Sequence, residues 1–455
     1  MSSLLVRNAL VLVTMDDGGT EIAGGSLLAE EGRITRVGRA SELPTTAEVV
    51  IDADGMVVLP GLINTHHHLY QTLTRAVPKA QDVDLFSWLV ALYPLWARLT
   101  PDSVRDATTL GLAELAISGC TTAFDHQYLW PNGSSIDDQF AGAEQVPIRF
   151  VASRGSMSLG ESAGGLPPDS IVESHEAILA ASQAAVGRWH DPGAGSMNQV
   201  VLAPASPFSV TSELMIESAA LARELGVRLH THIAETVDEE AFCLERFGAR
   251  PVDYAEQVGW LGEDVWFAHA VHISVDESAR MAEAGTGVAH CPTSNMRLAS
   301  GIAPVGRYRR QGVPVGLGVD GSASNDSSNL LVEVRQAMLL ARLAVAPGVG
   351  EPGSLMSGRE ALRIATRGSA EVLGRPDIGS LEIGKACDLI AIDVTSHFTD
   401  SGYADPVASL VFGSRTGVDW SVVQGQVVVD QGRLVGVETE ALRERHRAWS
   451  KQLLA

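Results

Sequence analysis

Lysine is almost absent from this 455-residue chain, which contains only Lys79, Lys385 and Lys451. The formal net charge at pH 7 is −22, and the sequence has no basic run. Nucleic-acid binding needs clustered Lys and Arg to neutralise phosphates, so the composition excludes a nucleic-acid partner. The acidity itself is typical of a well-solvated protein surface.

Cysteine and long apolar runs are scarce as well. The four cysteines are scattered without Cys-x-x-Cys spacing, so the sequence suggests neither a disulfide framework nor a thiolate zinc site. No apolar run approaches the length of a membrane span, and the N-terminus does not resemble a signal peptide. We therefore expect a cytoplasmic protein without a membrane partner.

Eight short runs rich in Val, Ile and Leu alternate with stretches of helical periodicity. These runs lie at 56–63, 121–125, 148–153, 199–204, 227–233, 265–269, 287–290 and 313–320. Eight strand–helix units of this kind predict a parallel (β/α)8 TIM-like barrel. A doubly wound open sheet is the alternative, but no Gly-x-Gly-x-x-Gly turn follows any of the runs.

The two ends of the chain have a different pattern. Apolar and polar residues alternate over 3–54 and again within 386–434, with turn signals between them. This alternation is typical of antiparallel strands with one buried face. We expect one small β-sandwich domain built from residues 1–57 and 376–455, including a terminal helix, beside a barrel at 58–375.

Two histidines close the first predicted barrel strand. His66 and His68 stand at i and i+2, so both side chains point to one face of an extended chain while His67 points away. Imidazole is a common ligand of zinc and other divalent ions. A lone His-x-His pair is equally compatible with satisfied polar groups near a core, so its meaning depends on further ligands.

Several other predicted strands also end in residues that can bind metal or carry protons. These are His232 and Glu235 after the fifth strand, His269 after the sixth, His290 after the seventh and Asp320 after the eighth. Functional groups of (β/α)8 barrels lie at the carboxyl ends of the strands. The pattern therefore predicts one polar site at that end of the barrel.

The ordered set His66-x-His68, His232-x-x-Glu235, His269 and Asp320 resembles the amidohydrolase superfamily, in its mononuclear aminohydrolase branch. The resemblance extends over essentially the whole chain. Within that branch, the stretches 64–75, 153–160, 295–298 and 320–326 are most similar to the 8-oxoguanine deaminases. Isocytosine, pterin and triazine hydrolases are similar over the same stretches.

The resemblance implies one divalent metal ion, with zinc as the first choice and iron as the alternative. Its ligands would be His66, His68, His232 and Asp320. Binuclear members of the superfamily bridge two metals through a carbamylated lysine that ends the fourth strand. No lysine lies between Lys79 and Lys385, so the residue inventory excludes that bridge.

The resemblance also implies roles for the acid–base residues. Asp320 would accept the proton of the attacking water, Glu235 would move protons to the substrate and leaving group, and His269 would orient the nucleophile. Simpler roles remain open: Glu235 as a helix cap and His269 as a hydrogen-bond partner of the site. We expect His67 and His230 to face away from the ligands.

Three residues are candidates for substrate contacts. Gln71 carries a donor and an acceptor that suit the edge of a purine or pyrimidine, but it also suits a helix cap. Arg154, at the end of the third predicted strand, could contact a ring carbonyl or form an ion pair inside the barrel. Trp88 could cover the pocket or pack in the core.

Together these expectations describe a metal-dependent hydrolytic deaminase of an amino-substituted oxo-heterocycle. The resemblance implies conversion of 8-oxoguanine to urate and ammonia, with isocytosine, isoxanthopterin or s-triazine as alternative substrates. It also implies a homo-oligomer. A binding or scaffold protein on an inactivated barrel is the non-enzyme alternative, which a complete ligand set disfavours.

Overall fold

The strands form two sheets in the computed structural model, which describes residues 3–345, 355–395, 402, 404–413 and 415–455. In chain order the strands are β1 (Ser3–Val13), β2 (Glu21–Glu30), β3 (Arg33–Arg39), β4 (Val49–Asp52), β5 (Met56–Pro60), β6 (Leu62–Asn64), β7 (Cys120–Asp125), β8 (Arg149–Ser156), β9 (Asn198–Pro204), β10 (Leu229–Ile233), β11 (Val265–His269), β12 (Gly287–His290), β13 (Val315–Leu317), β14 (Leu389–Asp393), β15 (Trp420–Val423), β16 (Gln426–Asp430) and β17 (Arg433–Leu434).

Most of the helices connect the central strands. They are α1 (Leu85–Trp96), α2 (Pro101–Ile117), α3 (Ile136–Ala143), α4 (His175–Trp189), α5 (Ser212–Leu225), α6 (Val237–Phe247), α7 (Pro251–Gln257), α8 (Val275–Ala284), α9 (Pro292–Arg297), α10 (Val305–Gln311), α11 (Leu330–Leu343), α12 (Gly358–Arg363), α13 (Ser369–Val372), α14 (Pro406–Phe412) and α15 (Thr439–Leu454). Over the described ranges, no helix is both long and apolar enough to cross a membrane.

Strands β6 to β13 close into a parallel barrel, which confirms the predicted fold class. Side chains alternate between its two faces. Val151, Val201 and Trp266 pack in the barrel interior, whereas Phe150 and Phe267 pack in the core outside it, with apolar residues of the surrounding helices. Residues two positions apart along a strand therefore point to the same face of the barrel, and neighbouring residues point to opposite faces.

The chain termini build a separate sheet with the strand order β17-β16-β15-β14-β5-β1-β2-β3. The expectation that these flanks are purely antiparallel is wrong for β1, which pairs in parallel with β4 and with β5. Long connections separate β1 from both partners, and such connections allow parallel pairing. The chain changes from this sheet to the barrel at Gly61, where a Cβ atom would collide with Thr121.

A buried ion pair joins the barrel to the terminal sheet. Arg149 on β8 donates from Nε and Nη2 to the two carboxylate oxygens of Asp388, at 2.7 and 3.1 Å. Neither side chain is more than 3% exposed. Bidentate geometry of this kind fixes the relative position of its two partners.

The C-terminal helix α15 contacts the segment that follows His68. His446 forms a hydrogen bond with Thr72 Oγ1 at 2.9 Å, and Ser450 donates to the carbonyl of Leu73 at 2.7 Å. Both contacts are to the 3₁₀ helix Leu69–Thr74, which contains Gln71. The end of the chain thus holds a turn at the mouth of the barrel.

Candidate metal centre

Four side chains converge at the carboxyl end of the barrel. Asp320 Oδ1 lies 3.3 Å from His66 Nε2 and 3.3 Å from His68 Nε2, and the Nε2 atoms of His68 and His232 are 3.2 Å apart. Ligands about 2.0–2.1 Å from a shared tetrahedral ion are about 3.3 Å from one another. The spacing of these donor atoms therefore fits a single divalent ion.

The hydrogen bonds of the imidazoles leave their Nε2 atoms free to bind metal. The carbonyl of His126 accepts from His68 Nδ1 at 2.6 Å, and the carbonyl of Ala205 accepts from His232 Nδ1 at 2.6 Å. Because a carbonyl only accepts, Nδ1 carries the proton in both rings. His66 Nε2 has no hydrogen-bond partner within the described residues. An ion bound to these nitrogens would supply the missing partner.

Burial and the neighbouring groups together give the four side chains the protonation states of metal ligands. It lowers the pKa of His66 and His232, and it lowers the pKa of His68 to about 3. Burial acts to raise the pKa of Asp320, but the neighbouring imidazoles of His66, His269 and His68 hold it well below its usual value. The site therefore presents neutral imidazoles and a carboxylate at neutral pH.

Glu235 and His269 lie beside the four donors. Glu235 accepts a hydrogen bond from Ser300 Oγ at 3.0 Å, and its Oε2 lies 3.5 Å from His269 Nε2. Burial raises the pKa of Glu235, although the charge of His269 opposes this. Burial acts to lower the pKa of His269, but the charges of Glu235 and Asp320 raise it overall. The pair can share a proton next to the metal position.

The backbone around these residues is strained. Ala234, His269 and Asp320 have φ values of 55°, 68° and 63°, a left-handed conformation that costs non-glycine residues free energy. The carboxylate of Glu239, which the sequence interpretation missed, accepts from the backbone N–H of Ala234 at 2.7 Å and of Glu235 at 2.9 Å. These bonds hold Glu235 in place despite the strain.

A cavity of about 440 Å³, part of which opens to solvent, lies against the donor cluster. Its apolar walls include Leu85, Trp88, Leu89, Tyr93, Tyr128 and Phe208. Gln71 also lines it, and both side-chain amide atoms are buried without a hydrogen-bond partner in the described ranges. A Cβ atom on the neighbouring Gly321 would collide with the Gln71 amide, so the glycine leaves room for the amide in its present position. The unpaired amide suits recognition of a polar ring edge.

The structure does not bring Arg154 into this cavity, contrary to our expectation. Arg154 shares the outer face of β8 with Phe150, donates to Glu173 at 2.7 Å and to the Gly155 carbonyl at 2.5 Å, and lies over the ring of Trp130. Even-numbered side chains of β8 point toward the helices, which sequence alone did not reveal. Of the two roles considered for Arg154, the structure shows the ion pair, which it forms with Glu173.

Two further expectations on histidines have different outcomes. His67 faces away from the donors and forms a hydrogen bond with Ser328 Oγ at 2.9 Å. The expectation for His230 is wrong, because His230 and His232 are two residues apart on β10 and share the inner face. His230 Nε2 lies 2.9 Å from His66 Nδ1.

Sequence interpretation also missed His126 and Tyr128. The ring of His126 stacks on His232 with centroids 4.8 Å apart, and its Nδ1 has no partner in the part of the chain described. Tyr128 packs edge-on against His68 at 5.2 Å and lines the cavity. The alternation of side chains along the strand could have identified His126. Phe124 packs in the barrel interior, and His126, two residues further on, points to the same side.

Comparison with known proteins places this site in context. A model of the amidohydrolase family matches residues 57–428. The chain is 49% identical to 8-oxoguanine deaminase of Pseudomonas aeruginosa over 100% of both chains. It is 37% identical to hydroxydechloroatrazine ethylaminohydrolase of Pseudomonas sp. (strain ADP), over 96% of this chain and 93% of that protein. The crystal structure of atrazine chlorohydrolase from Arthrobacter aurescens TC1, complexed with zinc, superposes with a TM-score of 0.93 at 34% identity, covering 98% of this chain and 100% of that chain.

Proposed function

The chain belongs to the amidohydrolase family, and from that premise we propose that it is a metal-dependent deaminase which hydrolyses 8-oxoguanine to urate and ammonia. The observation that carries the proposal is the donor cluster of His66, His68, His232 and Asp320 with Glu235 beside it. The 49% identity to an 8-oxoguanine deaminase over the full length supports the choice of substrate.

The proposed metal is a single zinc ion held by the three Nε2 atoms and by Asp320 Oδ1. The spacing of the donors and their free Nε2 lone pairs support this choice. A bound divalent ion supplies positive charge that makes a water molecule acidic enough to act as a nucleophile near neutral pH. Iron is the alternative, and elemental analysis of the purified protein distinguishes the two.

The proposed chemistry of the side chains follows from their contacts. Asp320, which the neighbouring imidazoles hold as a carboxylate despite its burial, accepts the proton of the attacking water. Glu235, whose pKa is raised by burial, delivers a proton to a ring nitrogen, then takes up the proton of the newly added hydroxyl group and passes it to the departing amino group. The proton held by Asp320 then returns to Glu235. His269 Nε2 forms a hydrogen bond with the attacking oxygen and orients it. The C–N bond breaks, a C=O bond forms, and ammonia leaves.

Substrate binding is assigned to the cavity next to the donors. Gln71 is proposed to pair with the polar edge of the base, because both of its amide atoms are buried and lack partners among the described residues. Trp88 is proposed to cover the ring, because it lines the cavity and is only 4% exposed. Flat aromatic walls suit a planar heterocycle.

The decisive experiment is an ammonia-release screen on zinc-loaded protein. Its substrates are 8-oxoguanine, guanine, isocytosine, isoxanthopterin and an aminotriazine, with chloride release from a chlorotriazine measured in parallel. We expect the highest kcat/KM with 8-oxoguanine. Release of ammonia from another base alone would mean that this base, and not 8-oxoguanine, is the substrate. Release of chloride alone would mean that the enzyme is a dechlorinating hydrolase and not a deaminase. Protein without stoichiometric metal would instead support a binding role.

A further inference from the structure

His230 occupies an unusual place in the barrel interior. It is fully buried, directly beneath the donor cluster. Its ring lies 4.7 Å from the ring of Phe124, 4.6 Å from that of Trp266 and 5.0 Å from that of His66. A polar ring among aromatic side chains costs free energy unless both of its nitrogens have partners.

Both nitrogens of His230 are in fact paired. The carbonyl of Trp266 accepts from Nδ1 at 3.0 Å, and Nε2 lies 2.9 Å from His66 Nδ1. Because the carbonyl only accepts, the proton of neutral His230 is on Nδ1 and its Nε2 is an acceptor. His66 Nδ1 must then donate the second bond, which leaves the lone pair of His66 on Nε2, facing Asp320.

His66 differs in this respect from the other two imidazoles of the cluster. His68 and His232 donate to backbone carbonyls, whose position is set by the barrel itself. His66 donates to a side chain instead. Trp266 supports the same arrangement a second time, because its indole N–H donates to the carbonyl of Thr65 at 3.1 Å, next to His66.

We propose that His230 is a positioning residue for the metal centre, which fixes the tautomer and the ring orientation of His66 through the chain Trp266 carbonyl, His230, His66. The inference rests on the proposed metal site. Removing a hydrogen-bond partner of a metal ligand commonly weakens metal affinity about 10- to 100-fold. Loss of the acceptor at position 230 therefore weakens metal binding without removing a ligand.

A matched pair of variants tests the acceptor itself. His230→Gln keeps an oxygen acceptor near the position of Nε2, whereas His230→Met has nearly the same length and only a weak acceptor. The dissociation constant for Zn²⁺ is measured by competition with a chromophoric chelator, and the visible absorption of Co²⁺-loaded protein reports the ligand field. We expect Met to weaken Zn²⁺ binding 10- to 100-fold and to change the Co²⁺ spectrum, and Gln to stay within about threefold of the parent.

Controls separate this inference from folding and from the proposed function. His190→Met removes an imidazole outside the donor cluster, whose Nδ1 accepts from the backbone N–H of Val200 at 3.1 Å, and it should leave Zn²⁺ affinity unchanged. If His230→Met does not fold, His230→Asn replaces it, because its shorter amide reaches Trp266 but not His66. Parent-like affinity in the Met or Asn variant, or equal weakening by Gln and Met, would overturn the inference. Absence of Zn²⁺ binding in the parent would overturn the proposed function instead.

Discussion

Replacing Glu235 with Gln removes a proton carrier while preserving its shape. In the structure, one carboxylate oxygen accepts from Ser300 Oγ at 3.0 Å and the other lies 3.5 Å from His269 Nε2. A Gln amide oxygen can retain the bond from Ser300. None of the four donor atoms belongs to Glu235, so we expect the Glu235→Gln variant to keep stoichiometric metal.

The expected loss is confined to turnover. A general acid–base group contributes about 10²- to 10⁴-fold, which corresponds to about 2.7–5.4 kcal/mol of transition-state free energy. Folding should not suffer, because burial already raises the pKa of Glu235 and thus disfavours its charged form. The thermal midpoint of the variant should therefore equal or exceed that of the parent.

Initial rates of ammonia release and metal content are measured on the same samples of parent and variant. Ser300→Ala is the matched control, because it removes one hydrogen bond to Glu235 and leaves the carboxylate. A neutral hydrogen bond contributes about 0.5–1.5 kcal/mol, so the control should lose about 2- to 13-fold in kcat. Turnover of Glu235→Gln within fivefold of the parent, or loss of its metal, would refute the assigned role.

Three further variants test substrate binding by Gln71, the structural ion pair of Arg154 and the buried carboxyl group of Glu333. Gln71→Met should lower kcat/KM about 10- to 100-fold at unchanged metal content, because two hydrogen bonds to the base are lost; an unchanged kcat/KM would exclude Gln71 from substrate binding. Arg154→Met should leave kcat and KM within twofold and lower the unfolding free energy by about 1 kcal/mol, because Glu173 loses its partner; a large rise in KM would return Arg154 to the site. Glu333 on α11 is buried and accepts from the backbone N–H of Thr293 at 3.1 Å and from Asn325 Nδ2 at 2.9 Å, and burial raises its pKa to about 7. The protonated form of Glu333 stabilises the fold fully below pH 4.5, and this stabilisation is lost as the pH rises through 7. The free energy of unfolding in urea therefore falls between pH 5 and pH 8, and Glu333→Gln should make that fall about 3 kcal/mol smaller. A fall of the same size in the variant would contradict the raised pKa of Glu333.

The barrel and its polar strand ends were predictable from sequence because both depend on local patterns. Apolar runs separated by helical stretches predict the strands, and parallel strands of a barrel share one carboxyl edge. The structure accordingly brings His66, His68 and Asp320 within 3.3 Å contacts although 254 positions separate the first from the last. No pairing information was needed for that inference.

The sequence does not predict in the same way which sheet a strand joins or which face of the sheet a side chain points to. The apolar run 56–63 gives no sign that it divides at Gly61 between two sheets. Arg154 lies at a strand end as expected, but its side chain faces the helices. His126 follows β7, which ends at Asp125, so the pattern of the strand does not include it. Each of these depends on packing across strands that are distant in sequence.

The way in which the imidazoles are held explains why such packing matters for the chemistry. Two of the three Nδ1 atoms donate to carbonyls of residues that follow neighbouring strands, His126 after β7 and Ala205 after β9. A slip of either strand by one residue would move its carbonyl away and release a ring. His66 instead depends on His230, so its orientation can be changed by one substitution without altering strand register. The geometry of this metal centre is therefore set mainly by the barrel backbone, and position 230 is where a side chain controls it.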